Sequence, residues 1–212
     1  GIIKKGCPVI TLCEYKSIKN KVNELNSTII PILSDTENDY INALSLKGLH
    51  QVENLALAIT AIKYLYPKIK NEIIINGLKK VKHPYRFEYF EEKKLIIDAS
   101  HNPNGIQALR DNLDYYFPKK ERRFVFGCLK NKDYKKMMKI LFRENDEIYL
   151  NGFNYPNACS FEELQENCPV KAFKYTNEVN LSTDKLNIIC GSFYMIGGME
   201  INKQQIDWQK LF

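Results

Sequence analysis

Along the chain, short apolar runs bounded by turn residues read as buried strands, and apolar positions three and four apart read as helix faces. The first part is irregular. Residues 8–13 predict a buried strand, 17–25 a short helix, 29–33 a second apolar run and 34–42 a polar loop. Two strands and one helix are too few to bury a core alone, so this stretch reads as the last piece of another domain.

From Gly48 the pattern becomes regular. A helix over 51–65 places Leu55, Ala58, Ile59, Ile62 and Leu65 on one face, and a second over 71–81 aligns Ile74, Leu78 and Val81. An alternating strand follows over 86–91 and an apolar one over 94–98. Pro103 at a first helical position, with Asn102 as cap, opens a helix carrying Ile106, Leu109, Leu113 and Tyr116. Then come strand 123–129, helix 133–142, strand 147–150, helix 161–166, strand 170–173, strand 187–190 and a short apolar helix from Ser192. Strands alternating with helices predict an α/β fold, a mostly parallel sheet with helices on both faces, as in Rossmann-like architectures. Such sheets bind ligands beyond the carboxyl ends of their strands.

Composition adds limits. The 212 residues are 44% hydrophobic and 26% charged, the profile of an ordinary globular protein, not of a disordered tail, a collagen-like fibre or a disulfide miniprotein. No stretch approaches 18 uninterrupted apolar residues, so no membrane span is expected. The opening Gly1-Ile2-Ile3-Lys4-Lys5 has neither an initiator Met nor an apolar signal core, which suggests a processed chain or one cut from something longer. The net charge of +6 would suit a phosphorylated ligand or a nucleic acid. The lysines are scattered, however, and no aromatic–basic stripe appears, so no nucleic-acid partner is expected. Six cysteines form no CxxC, and there are only three histidines. A metal site of paired short-spaced ligands is therefore not expected, and the thiols read as those of a reducing, cytoplasmic chain.

Four segments could carry chemistry. In Asp98-Ala99-Ser100-His101-Asn102-Pro103 a buried strand delivers a carboxylate, a hydroxyl and an imidazole to a helix N-terminus, whose free N–H groups favour anions. The plainer alternative makes Asn102 a cap and His101 a surface loop residue. In Gly48-Leu49-His50-Gln51-Val52-Glu53-Asn54, His50 and Gln51 read as capping and packing residues, whereas Asn54 is a polar amide in a helix otherwise rich in Leu, Ile and Ala. In Val81-Lys82-His83-Pro84-Tyr85-Arg86-Phe87-Glu88, Arg86 either grips a phosphate with its bidentate fork or pairs with Glu88. In Cys190-Gly191-Ser192-Phe193, a Gly-Ser turn puts Ser192 on the ligand edge of the sheet. No GxxxxGK[ST] phosphate loop, GxGxxG turn or GxSxG elbow occurs. By itself the sequence holds no complete catalytic apparatus.

These segments, in this order, resemble the C-terminal domain of the folylpolyglutamate synthase and dihydrofolate synthase family, which is grouped with the Mur ligases. The matching stretches are GLHQVEN at Gly48, VKHPYRFE at Val81, DASHNP at Asp98, LKNKD at Leu129 and GSFYMIG at Gly191. The likeness covers about residues 46–199, and residues 1–45 resemble the close of the family's central ATPase domain with a linker. Members phosphorylate a folate or pteroate carboxylate with ATP, and the amine of L-glutamate then displaces phosphate. The resemblance implies ATP and Mg2+ as cofactors, with the metal ligands outside this stretch.

It further implies that Asn54, Arg86 and Asp98 contact the nucleotide, Arg86 at the phosphates and Asp98 at the ribose or base. His101 and Ser192 would meet the incoming glutamate. Lys132 and Asp133 fall in a recurring family stretch without an assigned role. Three departures stand out: Tyr85 where the family usually has Gly before the arginine, Ser100 for a usual Ala, and Asn154-Tyr155-Pro156-Asn157 where relatives often carry an arginine.

The expectation is thus a folate–glutamate ligase domain at 46–212, cytoplasmic, without membrane or nucleic-acid partners, monomeric as the full-length protein and inactive as this stretch alone. Its rivals are a Mur-type amino-acid ligase of cell-wall synthesis and a non-catalytic nucleotide-binding module of the same fold.

Overall fold

A computed structural model of the chain describes residues 2–33, 38–176 and 180–199. The chain divides into two compact units, Gly1–Leu46 with His50–Lys82, and Lys47–Leu49 with His83–Phe212.

In the first unit, β1 (Val9–Ile10) pairs in parallel with β2 (Ile29–Ile30), joined by α1 (Lys16–Glu24). The strand expected over 8–13 shrinks because Thr11 turns the backbone away, its Oγ1 accepting from the Cys13 N–H at 3.0 Å. Helix α2 (Asn38–Ala43) stands where the second half of a polar loop was expected; residues 34–37 lie outside the described residues. Tyr40 and Ala43, three apart, give this helix a buried face. With α3 (Gln51–Leu65) and α4 (Asn71–Leu78) it closes a core of Tyr40, Leu55, Ile59 and Ile74. The Tyr40 hydroxyl donates to Asn71 Oδ1 at 2.6 Å. Because α3 and α4 share this core, the first compact unit runs to Lys82.

The second unit is built on a six-stranded sheet. β3 (Glu88–Phe90) is an antiparallel edge beside β4 (Leu95–Asp98). Parallel strands β8 (Leu186–Cys190), β5 (Arg122–Phe126), β6 (Glu147–Leu150) and β7 (Phe173–Lys174) complete the order β3-β4-β8-β5-β6-β7. Helices α5 (Pro103–Tyr116), α6 (Tyr134–Leu141), α7 (Phe161–Glu166) and α8 (Phe193–Gly198) alternate with the strands.

The apolar runs have a simple cause. Ile96, Phe124, Phe126 and Ile188 pack into one core with Ile106, Leu109, Met137 and Met138. Their strand neighbours Leu95, Ile97, Val125 and Ile189 pack into another with Met195 and Ile196. Both faces are buried, so consecutive apolar residues run through the middle of each central strand, with the polar Asp98, Arg122, Arg123 and Asn187 confined to positions near the strand ends. The expected α/β architecture is the observed one. No helix among the described residues is long and apolar enough to cross a membrane.

Candidate functional site

The parallel strands β4, β8, β5 and β6 end on one edge of the sheet, and the second unit gathers its polar residues there. At the end of β4, Asp98 is 4% exposed. Its Oδ2 accepts the Phe87 N–H and its Oδ1 the Ser100 N–H, each at 2.8 Å. The Ala99 N–H donates to the Tyr85 carbonyl at 2.8 Å. Asn102 caps α5 by accepting from the Gly105 N–H at 2.8 Å, with Pro103 in the first turn. Both features follow the sequence expectation.

The turn that Asp98 holds is tight. Tyr85 and Phe87 sit at φ +61° and +47°, a left-handed region that favours glycine. That turn delays the edge strand to Glu88, so Arg86 precedes the strand instead of entering it as expected. Glu88 does not pair with Arg86. It accepts from the Tyr85 N–H at 3.0 Å, and burial with this carboxylate pushes the Tyr85 phenol up. The Arg86 guanidinium carbon stands 5.9 Å from the centroid of the Phe193 ring. Arg86 makes no ion pair among the described residues.

At the end of β8, Gly191 has φ +110°, and a Cβ there would lie 2.4 Å from the Gly127 carbonyl oxygen. Only glycine fits this crossing. It turns the chain so that Ser192, 4% exposed, caps α8 by accepting from the Tyr194 N–H at 3.2 Å. The hydroxyl keeps its own proton to donate.

His101, Ser192, Gly191, Asn131, Lys132 and Phe193 line a cavity of about 360 Å³, a size that suits a small-molecule ligand. His101 Nδ1 lies 2.9 Å from the Ala99 carbonyl oxygen. A carbonyl can only accept, so Nδ1 carries the proton and Nε2 is left as the acceptor of the neutral ring. Tyr194 lines the cavity and stacks on Tyr155, with centroids 3.9 Å apart and planes at 20°. The neighbouring Tyr194 phenol pushes the Tyr155 phenol up. The loop expected to differ from its relatives thus contributes an aromatic stack. Asp133 caps α6, accepting from the Lys136 N–H at 3.3 Å.

Of the five expected site residues, His101 and Ser192 meet at the cavity, Arg86 reaches its rim through Phe193, and Asp98 lies buried behind the Arg86 turn. Asn54 belongs to the first unit. It sits exposed on α3, its Nδ2 donating to Gln51 Oε1 at 3.0 Å. Sequence reasoning passed over Phe193, Tyr194 and Asn131. The first two read as core positions of an apolar helix, yet they are 40% and 52% exposed. No group of three or more His, Cys, Asp or Glu side chains that could hold a metal occurs among the described residues.

Residues 85–189 match the family model described as Mur ligase, glutamate ligase domain. A dihydrofolate synthase/folylpolyglutamate synthase of Bacillus subtilis is 25% identical over 234 residues, covering 92% of this chain and 54% of its own length. The chain thus spans about half the length of that curated relative. The structure of the bifunctional folylpolyglutamate synthase/dihydrofolate synthase of Yersinia pestis, complexed with AMPPNP and Mn ion, superposes with a TM-score of 0.76 at 21% identity, over 94% of this chain and 54% of that one. A structure of a bifunctional folylpolyglutamate synthase/dihydrofolate synthase with Mn, AMPPNP and L-glutamate bound gives a TM-score of 0.74 at 21% identity, with the same coverage of 94% and 54%. These structural likenesses speak to the fold.

Proposed function

We propose, from the match of residues 85–189 to the family model described as Mur ligase, glutamate ligase domain, that the chain is the C-terminal half of an ATP-dependent folate–glutamate ligase. In this reading residues 1–45 close a central ATPase domain and 46–212 are the glutamate-ligase domain. The observation that carries it is the meeting of His101, Ser192 and Lys132 at one cavity, beside an arginine without an acidic partner among the described residues. The named relatives support the choice of the folate branch.

ATP phosphorylates the carboxylate of a folate or dihydropteroate. The amine of L-glutamate then attacks the acyl carbon, forms the amide and releases phosphate. His101 Nε2 accepts from that amine and orients it for attack, and Ser192 meets the same amino acid. Arg86 faces the phosphates, where a fixed cation stabilises charge developing in transfer. Asp98 serves the ribose or base side, since a carboxylate has about four lone-pair sites and two are spent on Phe87 and Ser100. Asn54 is assigned to the nucleotide from the resemblance of its segment alone.

Mg2+ supplies charge neutralisation at the phosphates when bound. Its ligands and the phosphate loop are read as lying in another segment of a longer polypeptide, because neither motif occurs here. The AMPPNP, Mn and L-glutamate of the related structures support a site for these three ligand classes. The same reading makes the protein a cytoplasmic monomer with small-molecule partners only.

The test is ADP release by the product of the uninterrupted gene, given glutamate with dihydropteroate or tetrahydrofolate. Turnover that falls at least tenfold in Arg86→Ala and in His101→Ala is expected. A folded protein that binds ATP but turns over neither folate would shift the reading to a Mur-type amino-acid ligase. Unchanged rates in both variants would leave a domain of this fold whose cavity does not serve the reaction.

A further inference from the structure

Phe193 is a large apolar side chain at the first position of α8, yet 40% of it is exposed. Residues from two other segments surround its ring. The Arg86 guanidinium carbon is 5.9 Å from the centroid. The Tyr85 ring meets it edge-on, at 5.8 Å and 85°. The His101 ring stands 6.4 Å away at 52°. The ring therefore touches residues from the turn before β3 and from the loop after β4, and it also lines the cavity.

An aromatic face attracts a guanidinium without neutralising it. A carboxylate in the same place would hold Arg86 equally well but would compete with a phosphate for its N–H fork. Among the described residues no carboxylate pairs with Arg86, and its neighbour Glu88 is engaged by the Tyr85 backbone. Gly191 and the Ser192 cap fix where α8 begins, and so where the ring stands.

We propose that Phe193 is a positioning residue, which holds Arg86 in place for an anionic phosphate while leaving its charge and donors free, and which ties that cation to His101 across one ring. The proposal rests on the reading of Arg86 as the phosphate-facing cation.

The test is a double-mutant cycle on the product of the uninterrupted gene, read as KM and kcat for ATP in the ADP-release assay and as ATP affinity by calorimetry. Removing the ring in Phe193→Leu should weaken ATP about two- to fivefold, the range of an exposed cation–π contact. Phe193→Tyr and Phe193→Trp, which keep a π face, should rescue the loss. In an Arg86→Ala background, Phe193→Leu should add nothing to the ATP constants. A Phe193→Leu effect that survives undiminished without Arg86 would overturn the inference, as would equal losses in the Leu, Tyr and Trp variants. Loss of ATP affinity in Arg86→Ala with a wild-type Phe193→Leu would overturn the inference alone. No loss in Arg86→Ala would overturn the reading of Arg86 and the inference with it.

Discussion

The buried carboxylate of Asp98 accepts the backbone N–H of Phe87 at 2.8 Å, and through that bond the end of the central strand β4 holds the left-handed turn that presents Arg86. Its other oxygen serves Ser100 at the start of the His101 loop. One side chain thus braces both halves of the proposed site. Asp98→Asn keeps the shape but can satisfy only one of the two amides, and should cost roughly 1.5–3 kcal/mol. Asp98→Ala should cost more, because both amides lose their partner. Urea denaturation of the folded chain measures this. A change under about 0.5 kcal/mol in both variants would show that water replaces the bonds.

Gly191→Ala tests the crossing of β8 and β5. The new Cβ would meet backbone, the Gly127 oxygen at 2.4 Å, and would sit at φ +110°. Neither problem can be relieved by rotating a side chain, so a loss of roughly 2–4 kcal/mol is expected. Gly197→Ala is the control, since nothing lies within 4 Å of its Cβ. Equal denaturation midpoints for the two variants would contradict this account.

The acid limb of stability should depend on Glu147. Burial alone would raise its carboxyl, but hydrogen bonds from Arg123, Tyr149 and Lys185 outweigh burial and hold it below the usual carboxylate range. Arg123 donates through Nε at 3.1 Å and Nη2 at 3.0 Å. The folded state therefore binds this proton more weakly than the unfolded chain. Its contribution is complete above the unfolded value of about 4.3 and is lost as pH falls through the lower folded value. Thermal melts between about pH 5 and pH 3 should fall less steeply for Glu147→Gln than for the parent. Parallel curves would contradict the assignment.

Thiol chemistry should follow burial. Cys7 and Cys13 are exposed, whereas Cys128, Cys159 and Cys190 are buried. A hydrogen bond with Cys159, 3.8 Å away, and then burial push the Cys128 thiol up, and burial does the same for Cys190. The thiolate is the nucleophile. Iodoacetamide added to the folded chain should therefore modify Cys7 and Cys13 first, and Cys128 and Cys190 only after unfolding. Peptide mass spectrometry showing early modification of Cys190 would mean that the core of the second unit opens readily.

Much of this protein is written locally in its sequence. The span of α3, the Asn102 cap with Pro103, and the strand over Glu147–Leu150 are observed as expected. Each depends on residues within one or two turns of one another, so periodicity and capping chemistry suffice. Two of the four chemical segments, those after β4 and β8, were legible as edge segments, because polar residues just after an apolar strand fall on the carboxyl edge of a parallel sheet; the segments at Gly48 and Val81 follow no such strand.

What the sequence could not specify lies at long range. The last strand, β8, inserts between β4 and β5, and this places Ser192 near His101, some ninety residues earlier in the chain. Strand order depends on which apolar faces bury one another, and local patterns do not encode it. Likewise Phe87 and Tyr85 look like ordinary strand residues. They take left-handed conformations because Asp98, Glu88 and Ala99 bind that turn from outside it. Phe193 carries an apolar label that any reading assigns to a core. Its exposure, and the arginine resting against its face, exist only once the sheet has brought three separate loops together.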